Sequence, residues 1–357
     1  MERKKTPKMN SLSKIAWTKF KKDILGVMAL YGIVLAIIVS VLGYHIFPDS
    51  TPYANQMHVE LSKKGPGFEV DLILLPKNDI KRVGFFKKMV FGQQNVNKEI
   101  PVSDYSVVND KLYYTPFGTN YEKLLETQNY SIVRRTYLLG TDSFGRDLLS
   151  RILCGTRVSL SVGFIAVIIS LLIGITLGAM AGYFRGKVDS IIMWLVNVVW
   201  SIPTLLMVIA ISLALGKGFW QVFVAIGLSM WVEVARVVRG EILSIGEKEY
   251  IEAAQSLGFG HFRIIFKHIL PNVISSVIVI SAANFASAIL IEAGLSFLGI
   301  GAQPPMPSWG TMIKDNYAYI VLGKSYLAIF PGLAIMYLVL SFVLVGNSIR
   351  DALDVRN

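Results

Sequence analysis

Long uncharged apolar runs are the feature that most restricts how this chain can fold. Five runs contain no Asp, Glu, Lys or Arg: residues 24–47, 158–184, 190–216, 272–291 and 325–349. Each is long enough to cross a hydrocarbon layer of roughly 30 Å as an α-helix. A sixth run, residues 218–232, is shorter, and we extend it to about residue 237 past Glu233 and Arg236. The sequence therefore predicts six transmembrane helices, and a composition of 53% hydrophobic and 17% charged residues argues against a soluble protein with buried helices.

The basic residues indicate the orientation in the membrane. Eight of them precede the first run: Arg3, Lys4, Lys5, Lys8, Lys14, Lys19, Lys21 and Lys22. Lys and Arg near span ends stay on the cytoplasmic side, and the run is too long for the 7 to 15 apolar residues of a signal peptide. With six spans, both termini are expected in the cytoplasm. The net charge of +11 gathers at membrane edges, which argues against a nucleic-acid partner.

This orientation divides the chain into five parts. The predicted parts are a cytoplasmic basic N-terminus (1–23), a first span (24–47), an extracytoplasmic insertion (48–157), a core of five further spans (158–349) with a cytoplasmic loop (238–271), and a cytoplasmic tail (350–357). Alternating stretches at residues 69–74 and 111–114 predict strands in the insertion, and residues 121–128 predict a helix. The insertion is therefore expected to be a small α+β unit.

Catalytic and metal-binding patterns are not evident in the sequence. Gly323, Lys324 and Ser325 resemble the end of a phosphate-binding loop, but that loop needs a Gly where this chain has Ala318. The four histidines show no metal-ligand spacing, and a single cysteine, Cys154, excludes an internal disulfide. We expect no enzyme activity and no cofactor in this chain, so that any energy must come from a partner or an ion gradient.

The cytoplasmic loop contains a charged, helix-prone stretch, EYIEAAQSLGFGHFRIIFKHILP, at residues 249–271. Residues 249–257 predict a helix that Gly258 ends in a left-handed conformation, and residues 259–270 predict a second helix that runs to Pro271. Ala253 and Ala254 would give the first helix a small-residue face for docking into a groove of another protein, with Glu252 and Arg263 forming charge pairs at its rim. An amphipathic hairpin on lipid headgroups fits the same residues.

Four segments carry a resemblance to a known family. Glu252, Ala253 and Ala254, followed by Gly258 and by Leu270-Pro271, resemble the EAA loop of ABC-importer permeases. His-Ile-Leu-Pro-Asn at 268–272 is similar to the dipeptide, oligopeptide and nickel branch. LLGTDSFGRDLLSRILCGTRVSL at 138–160, EAGLSFLGIG at 292–301 and PSWGTMI at 307–313 resemble the C-type subunit of that branch. Residues 48–135 lie outside the resemblance.

The resemblance implies an all-α polytopic membrane protein of the type I ABC importer permease fold, located in the cytoplasmic (inner) membrane. It implies that a coupling helix formed by the loop sits in a cleft of a cytoplasmic ATPase. The implied coupling residues are Glu252, Ala253, Ala254, Gly258, Leu270 and Pro271. The implied partners are a second homologous permease, two ATPase subunits that bind ATP and Mg²⁺, and an extracytoplasmic substrate-binding protein.

Polar residues within the spans are the candidates for the transport pathway, because such groups usually face a bundle interior or a cavity. They are Asn197, Ser201, Glu233, Asn284, Ser287 and Glu292. We single out Asn284 and Glu292, and we expect Pro203 to kink the third span. Near the membrane edge, Asp142 is the expected helix N-cap and Trp309 an interfacial anchor or outer lid.

Di- or oligopeptides are the cargo that the resemblance favours, with nickel or another small solute as the alternative. An ion-coupled secondary transporter is a rival interpretation, although the halves of the chain show no repeat of the kind such transporters contain. A membrane-anchored receptor would not need six spans.

Overall fold

A computed structural model describes residues 12–77, 80, 82–127, 129–216 and 218–353, with side chains from residue 16 onward. The basic residues Arg3 to Lys8, Gln128 at the end of the expected helix, and the tail after residue 353 lie outside the described residues. The chain divides into two compact units. One contains residues 1–35, 161–292 and 336–357, and the other contains residues 36–160 and 293–335.

Five described helices are long and apolar enough to cross a membrane. They are α2 (Ile24–Ile46), α4 (Leu148–Phe184), α7 (Phe219–Gly246), α10 (Leu270–Phe297) and α12 (Tyr326–Leu353). The shorter helices are α1 (Leu12–Phe20), α3 (Phe85–Phe91), α5 (Gly186–Trp200), α6 (Thr204–Leu215), α8 (Glu249–Ser256), α9 (His261–Ile264) and α11 (Trp309–Asn316). A mostly helical architecture with five or six spans is confirmed.

Four of the five long helices, α4, α7, α10 and α12, are longer than the apolar runs that predicted them. Helix α4 begins ten residues before the uncharged run at 158, and α7 continues past Arg236 to Gly246. A charged side chain ends the hydrophobic signal, but it leaves the backbone hydrogen-bond ladder intact. The apolar run therefore marks the part of a helix that suits hydrocarbon, and the helix itself extends beyond it.

The third predicted span is broken rather than kinked. Helices α5 and α6 are each too short to cross a membrane, and only together are they long enough and apolar enough to do so. The two helix axes are bent by 91° at residues 201–203. Pro203 has no N–H to donate to the preceding turn, and it disfavours helical backbone at Ile202. The expected effect of Pro203 is therefore present, and it is larger than a kink.

Three glycines of α4 allow close packing against α7. They lie at intervals of four residues, and a Cβ atom on each would lie 2.5 Å from Val234 Cβ (Gly174), 2.6 Å from Ala235 O (Gly178) and 2.9 Å from Ile242 Cβ (Gly182). Gly227 of α7 likewise allows α4 to approach, since a Cβ atom at Gly227 would lie 2.7 Å from Cβ of Ile169 in α4. Small residues at this spacing are how membrane helices bring their backbones together.

The insertion contains a five-stranded antiparallel sheet in the order β4-β3-β2-β1-β5. The strands are β1 (Phe68–Pro76), β2 (Asn97–Val108), β3 (Lys111–Pro116), β4 (Lys123–Leu125) and β5 (Ser131–Tyr137). Both predicted strands are present. The helix predicted at residues 121–128 is wrong, because residues 123–125 pair with β3 instead. Asn109 and Asp110, with φ of 51° and 60°, form the β2–β3 turn in a conformation that these residue types tolerate.

A buried carboxylate ties this sheet to the segment before it. Glu99 of β2 has a side chain only 5% exposed, and it accepts two hydrogen bonds from Arg135 of β5, at 2.6 and 2.9 Å. It also accepts from His58 at 3.1 Å and from Asn95 at 2.8 Å. Burial alone would raise the pKa of Glu99, but these hydrogen bonds and the Arg135 charge lower it to about 2.

The start of α4 differs from the expected cap. Asp142 does not cap the helix: it accepts from the backbone N–H groups of Phe144 and Arg146, at 2.8 and 3.0 Å, and from Arg146 Nε at 2.7 Å, so it shapes a turn. Asp147 precedes the helix and accepts from Ser150 N at 2.8 Å. Asp147 is the N-cap because it stands next to the first helical residue, whereas Asp142 lies six residues before it.

Trp309 is enclosed by the protein rather than placed at a membrane interface. Its side chain is 3% exposed, and its Nε1 donates to Ile152 O at 2.9 Å. Gly155 of α4 leaves room for the indole, since a Cβ there would lie 2.6 Å from Trp309 Nε1. Ser308 caps α11 through a capping box with Thr311 and so holds the indole in place. The expectation of an interfacial anchor is corrected.

We predict that Gly178→Ala destabilises the isolated chain in detergent by about 2 kcal/mol, because its methyl group would overlap the α7 backbone and push the helices apart. Thermal unfolding measures the effect. Gly240→Ala on α7 is the matched control, since a Cβ there meets no atom within 4 Å. Equal unfolding temperatures for the two variants would contradict the close packing.

We also predict an acid-sensitive insertion. Because the pKa of Glu99 is about 2 in the folded state, below its ordinary value of 4.5, its contribution is fully present above about pH 4.5 and is lost as pH falls towards 2. The contribution is about 3 kcal/mol. Unfolding temperatures from pH 6 to pH 3 should fall more for the natural protein than for Glu99→Gln, which is already less stable at pH 6. Glu69→Gln, which removes an exposed carboxylate of β1, should behave as the natural protein does.

Candidate functional site

The cytoplasmic loop folds into the expected first helix. Helix α8 follows Lys248. Glu249 and Glu252 lie in its first turn, where their negative charges stabilise the helix by interacting with its dipole. Gly258 has φ of 73°, as predicted. Its N–H donates to Gln255 O at 2.9 Å, and the N–H of Phe259 donates to Ala254 O at 3.2 Å. These two bonds form a Schellman motif, which satisfies the last carbonyl groups and reverses the chain direction.

The two alanines of the loop point in different directions, contrary to the expected common face. Ala254 is 5% exposed and packs with Ile251 against Ile242 of α7 and Ile269, in one apolar cluster. Ala253 is exposed beside Glu252. Neighbouring residues on a helix lie about 100° apart, so only one of the pair can face outward. Ala254 therefore fixes α8 to the chain, and Ala253 is available to a partner.

We define the loop surface as the exposed residues Glu252, Ala253, Leu257 and Gly258. Leu257 is 73% exposed, so its apolar side chain is not covered by this chain. A Cβ on Gly258 would meet no atom of this chain within 4 Å, so the surface is open there. Arg263, expected at the rim, places its guanidinium 4.1 Å from the centre of the Phe259 ring.

The sequence predicted that a helix ends at Leu270 and Pro271. In the structure, helix α10 begins there instead. A π-helical turn at residues 265–269 joins α9 to α10, and the whole segment His261–Phe297 forms one span-length helix. Pro271 lacks an N–H and its ring interferes with a carbonyl of the preceding turn, which the wider π-turn accommodates. Asn272 Nδ2 donates to His268 O at 2.7 Å and satisfies that carbonyl. The loop is thus continuous with α10.

A cavity of about 290 Å³ opens between the broken span and helices α7 and α10. Its polar lining residues are Thr204, Ser229, Glu233 and Ser287, and its apolar lining includes Trp200, Met207 and Leu290. Ser229 and Ser287 stand in the middle part of their helices, as residues of a pathway through the membrane would. Glu233 and Ser287, both named from sequence, are brought together here.

Asn284 and Glu292, the two pathway residues singled out from sequence, lie in the interior instead. Each is 1% exposed, so neither reaches the cavity. The Asn284 amide has no hydrogen-bond partner among the described residues. Polarity within a span identified residues that avoid lipid, but it could not distinguish a packed interior from an open cavity.

Two arginines of α7 hold the broken span beside the cavity. Arg239 donates two hydrogen bonds to Asp189 of α5, at 2.5 and 2.6 Å. Arg236 places its guanidinium 3.7 Å from the centre of the Trp200 ring and donates to Asn197 Oδ1 at 3.2 Å. From the sequence, Arg236 was predicted only to lie near the end of a span. No spacing in the sequence pairs these residues, because eight residues separate Asp189 from Asn197 whereas three separate Arg236 from Arg239.

The described residues contain no group of three or more His, Cys, Asp or Glu side chains that could hold a metal ion. The arrangement consists of an exposed loop helix, two long helices attached to it, and a cavity that those helices line. It suits a mechanical role in which movement of the loop changes the cavity.

Comparison with known proteins gives this arrangement a family. Residues 174–357, which include α7, the loop and α10, match the model of the family described as "Binding-protein-dependent transport system inner membrane component". The β-strands of the insertion lie outside the matched residues.

Three curated relatives are similar over about 60% of this chain. The glutathione transport system permease protein GsiD of Pectobacterium atrosepticum is 45% identical over 60% of this chain and 71% of its own length. The dipeptide transport system permease protein DppC of Alkalihalophilus pseudofirmus is 43% identical (60% and 70%), and the oligopeptide transport system permease protein OppC of Bacillus subtilis is 37% identical (62% and 72%). This chain therefore belongs to the family of binding-protein-dependent transport system inner membrane components, as a multi-pass permease of an ABC importer.

Proposed function

We propose that this permease imports di- or oligopeptides. The relatives named above are permeases for glutathione, dipeptides and oligopeptides, and their identity to this chain carries the proposal. The cavity supports it, because it combines one carboxylate with hydroxyl groups and apolar side chains, and so suits varied cargo held weakly. Nickel, the alternative cargo, prefers imidazole or thiolate ligands, and the described lining of the cavity has neither.

The chain works within a larger assembly. We expect a second homologous permease, two cytoplasmic ATPase subunits that bind ATP and Mg²⁺, and an extracytoplasmic substrate-binding protein that selects the cargo. The basic N-terminus and an even number of spans support a cytoplasmic location for both termini and an extracytoplasmic location for the insertion. This chain then contributes half of the pathway and no bond-making chemistry.

The loop surface is the proposed contact with an ATPase. Glu252, Ala253 and Gly258 would face the ATPase groove, and Ala254 would hold α8 on the permease. Leu270 and Pro271 take part differently, as the junction through which the loop continues into α10.

The packing suggests how movement of α8 would reach the cavity. Ile251 and Ala254 attach α8 to Ile242 of α7 and to Ile269 of the segment that continues into α10. Helices α7 and α10 carry Glu233 and Ser287, which line the cavity. Closure of the ATPase pair would therefore tilt both walls together, because packed helices move as rigid bodies.

We predict that the same substitution at two adjacent alanines affects two different properties: association with the ATPase at Ala253 and stability of the permease at Ala254. Ala253→Leu should leave the unfolding temperature of the isolated permease unchanged while reducing its association with the ATPase and ATP-driven uptake at least several-fold. Ala254→Leu should destabilise the isolated permease by about 1 to 3 kcal/mol, because the larger side chain has no space in the apolar cluster. Thermal unfolding and co-purification of the ATPase measure the two effects. Full coupling by Ala253→Leu would contradict the proposed contact.

We predict that proteoliposomes containing the complete importer take up labelled di- or oligopeptides with ATP, and that Ser287→Trp abolishes this uptake by filling the cavity. Leu172→Trp is the matched control, since Leu172 is an exposed residue of α4 outside the cavity lining. Uptake of nickel but not peptides would replace the cargo proposal. Uptake that needs an ion gradient but no ATP would overturn the importer mechanism, and normal uptake by Ser287→Trp would exclude the cavity as the pathway.

A further inference from the structure

Helix α3 of the insertion exposes apolar side chains to an unusual degree for a water-facing segment. Phe86 is 76% exposed, Phe91 67%, Phe85 56% and Val90 49%. Two lysines, Lys87 and Lys88, interrupt them. A short helix that is all apolar residues and lysines, with most of its aromatic surface uncovered, needs a contact other than water.

Contacts with two membrane spans set the level of α3. The Phe85 ring stacks on His45, with centroids 4.3 Å apart, and His45 Nε2 lies 3.3 Å from Phe85 O. His45 is in the last turn of α2, whose 23 residues measure about 35 Å against about 30 Å of hydrocarbon. Arg157 Nη2 donates to Met89 O at 3.2 Å, and Arg157 is the last charged residue before the uncharged run of α4.

Both of these contacts lie where an apolar run meets the adjoining polar segment. Because α2 leaves the membrane and α4 re-enters it, the two contacts mark the same membrane surface. Helix α3 is therefore level with the end of α2 and with the start of the uncharged run of α4.

The backbone around α3 keeps the helix at this level. The N–H of Gln93 donates to Ser50 O at 2.9 Å, four residues past the end of α2. Gly92, with φ of 77°, permits this approach, since a Cβ there would lie 2.9 Å from Ser50 O. The N–H of Val83 donates to Gln93 Oε1 at 2.7 Å and closes the segment at its other end.

The charge of the segment suits a phospholipid surface. Residues 77–88 contain five basic residues, Lys77, Lys81, Arg82, Lys87 and Lys88, against the single acidic residue Asp79. Lysine stems can lie along apolar surface while their ammonium groups reach phosphate oxygens, and basic residues near a membrane attract anionic lipids. Exposed aromatic residues of such a segment insert at the headgroup level.

We propose that α3 is a membrane-surface anchor of the insertion. Phe86, Val90 and Phe91 insert among the acyl chains nearest the headgroups, and Lys87 and Lys88 bind phosphate groups of anionic phospholipids. The anchor holds the root of the sheet against the bilayer, so that the insertion cannot swing freely about the ends of α2 and α4.

Site-directed spin labelling of the full-length protein in nanodiscs tests the anchor. Cys154 is the only cysteine of the chain and is 3% exposed, so a cysteine introduced at the surface can be labelled selectively. Phe86→Cys and Phe91→Cys carry the label on α3. Val107→Cys on β2 is the control, since it is 58% exposed and ten residues, or about 33 Å, along the strand from Asn97.

We expect labels on α3 to show a several-fold higher ratio of collisions with oxygen, which concentrates in the bilayer, to collisions with a water-soluble nickel chelate than the label at residue 107. The ratio should be higher in phosphatidylglycerol than in phosphatidylcholine nanodiscs, and Lys87→Glu should reduce that difference. A ratio equal to that of Val107→Cys would overturn the proposal by placing α3 in water. Protection of α3 from both reagents would also overturn it, because a protein would then cover the helix.

Discussion

The close approach of α4 and α7 is the constraint on which the functional arrangement depends. Gly174, Gly178 and Gly182 remove the side chains that would separate these helices. In lipid, burial of apolar surface gives little drive for helices to associate, so stability comes from close van der Waals contact. Once α7 is held in this way, its Arg236 and Arg239 can reach α5 and stabilise the broken span, and its Ile242 provides the base on which α8 packs.

From that base, the structure connects a surface loop to a cavity through ordinary packing. Helix α8 is short, and a Schellman motif ends it at Gly258. The π-turn at residues 265–269 makes the second half of the loop continuous with α10. The exposed loop and the cavity are therefore joined by the same two packed helices, α7 and α10. Ala254 is buried because it packs against Ile242 and Ile269, which fixes α8 to the two helices that line the cavity.

Sequence reasoning was most successful where a single local property decides the structure. The long apolar runs identified the spans, because lipid leaves a backbone no partner other than its own helix. Gly258 ended α8 because a left-handed residue without Cβ costs little. Sequence reasoning failed where contact with another segment of the chain decided the local structure. Residues 121–128 look helical by composition, but β3 offers an open edge with which residues 123–125 pair. Asp142 is a good cap by residue type, yet the turn it forms with Arg146 leaves that position to Asp147.

The sequence by itself determined the approximate limits of the spans, the presence of strands in the insertion, the loop helix at residues 249–256 with its glycine end, and the family resemblance. These follow from hydrophobicity, spacing and motif, which are properties of adjacent residues. Only the tertiary structure decided that Ala253 faces outward and Ala254 inward, that Glu233 and Ser287 share a cavity while Asn284 and Glu292 are enclosed, and that α3 meets the ends of two spans. The reason is that facing and burial depend on which helix lies opposite, and residues far apart in the chain determine that.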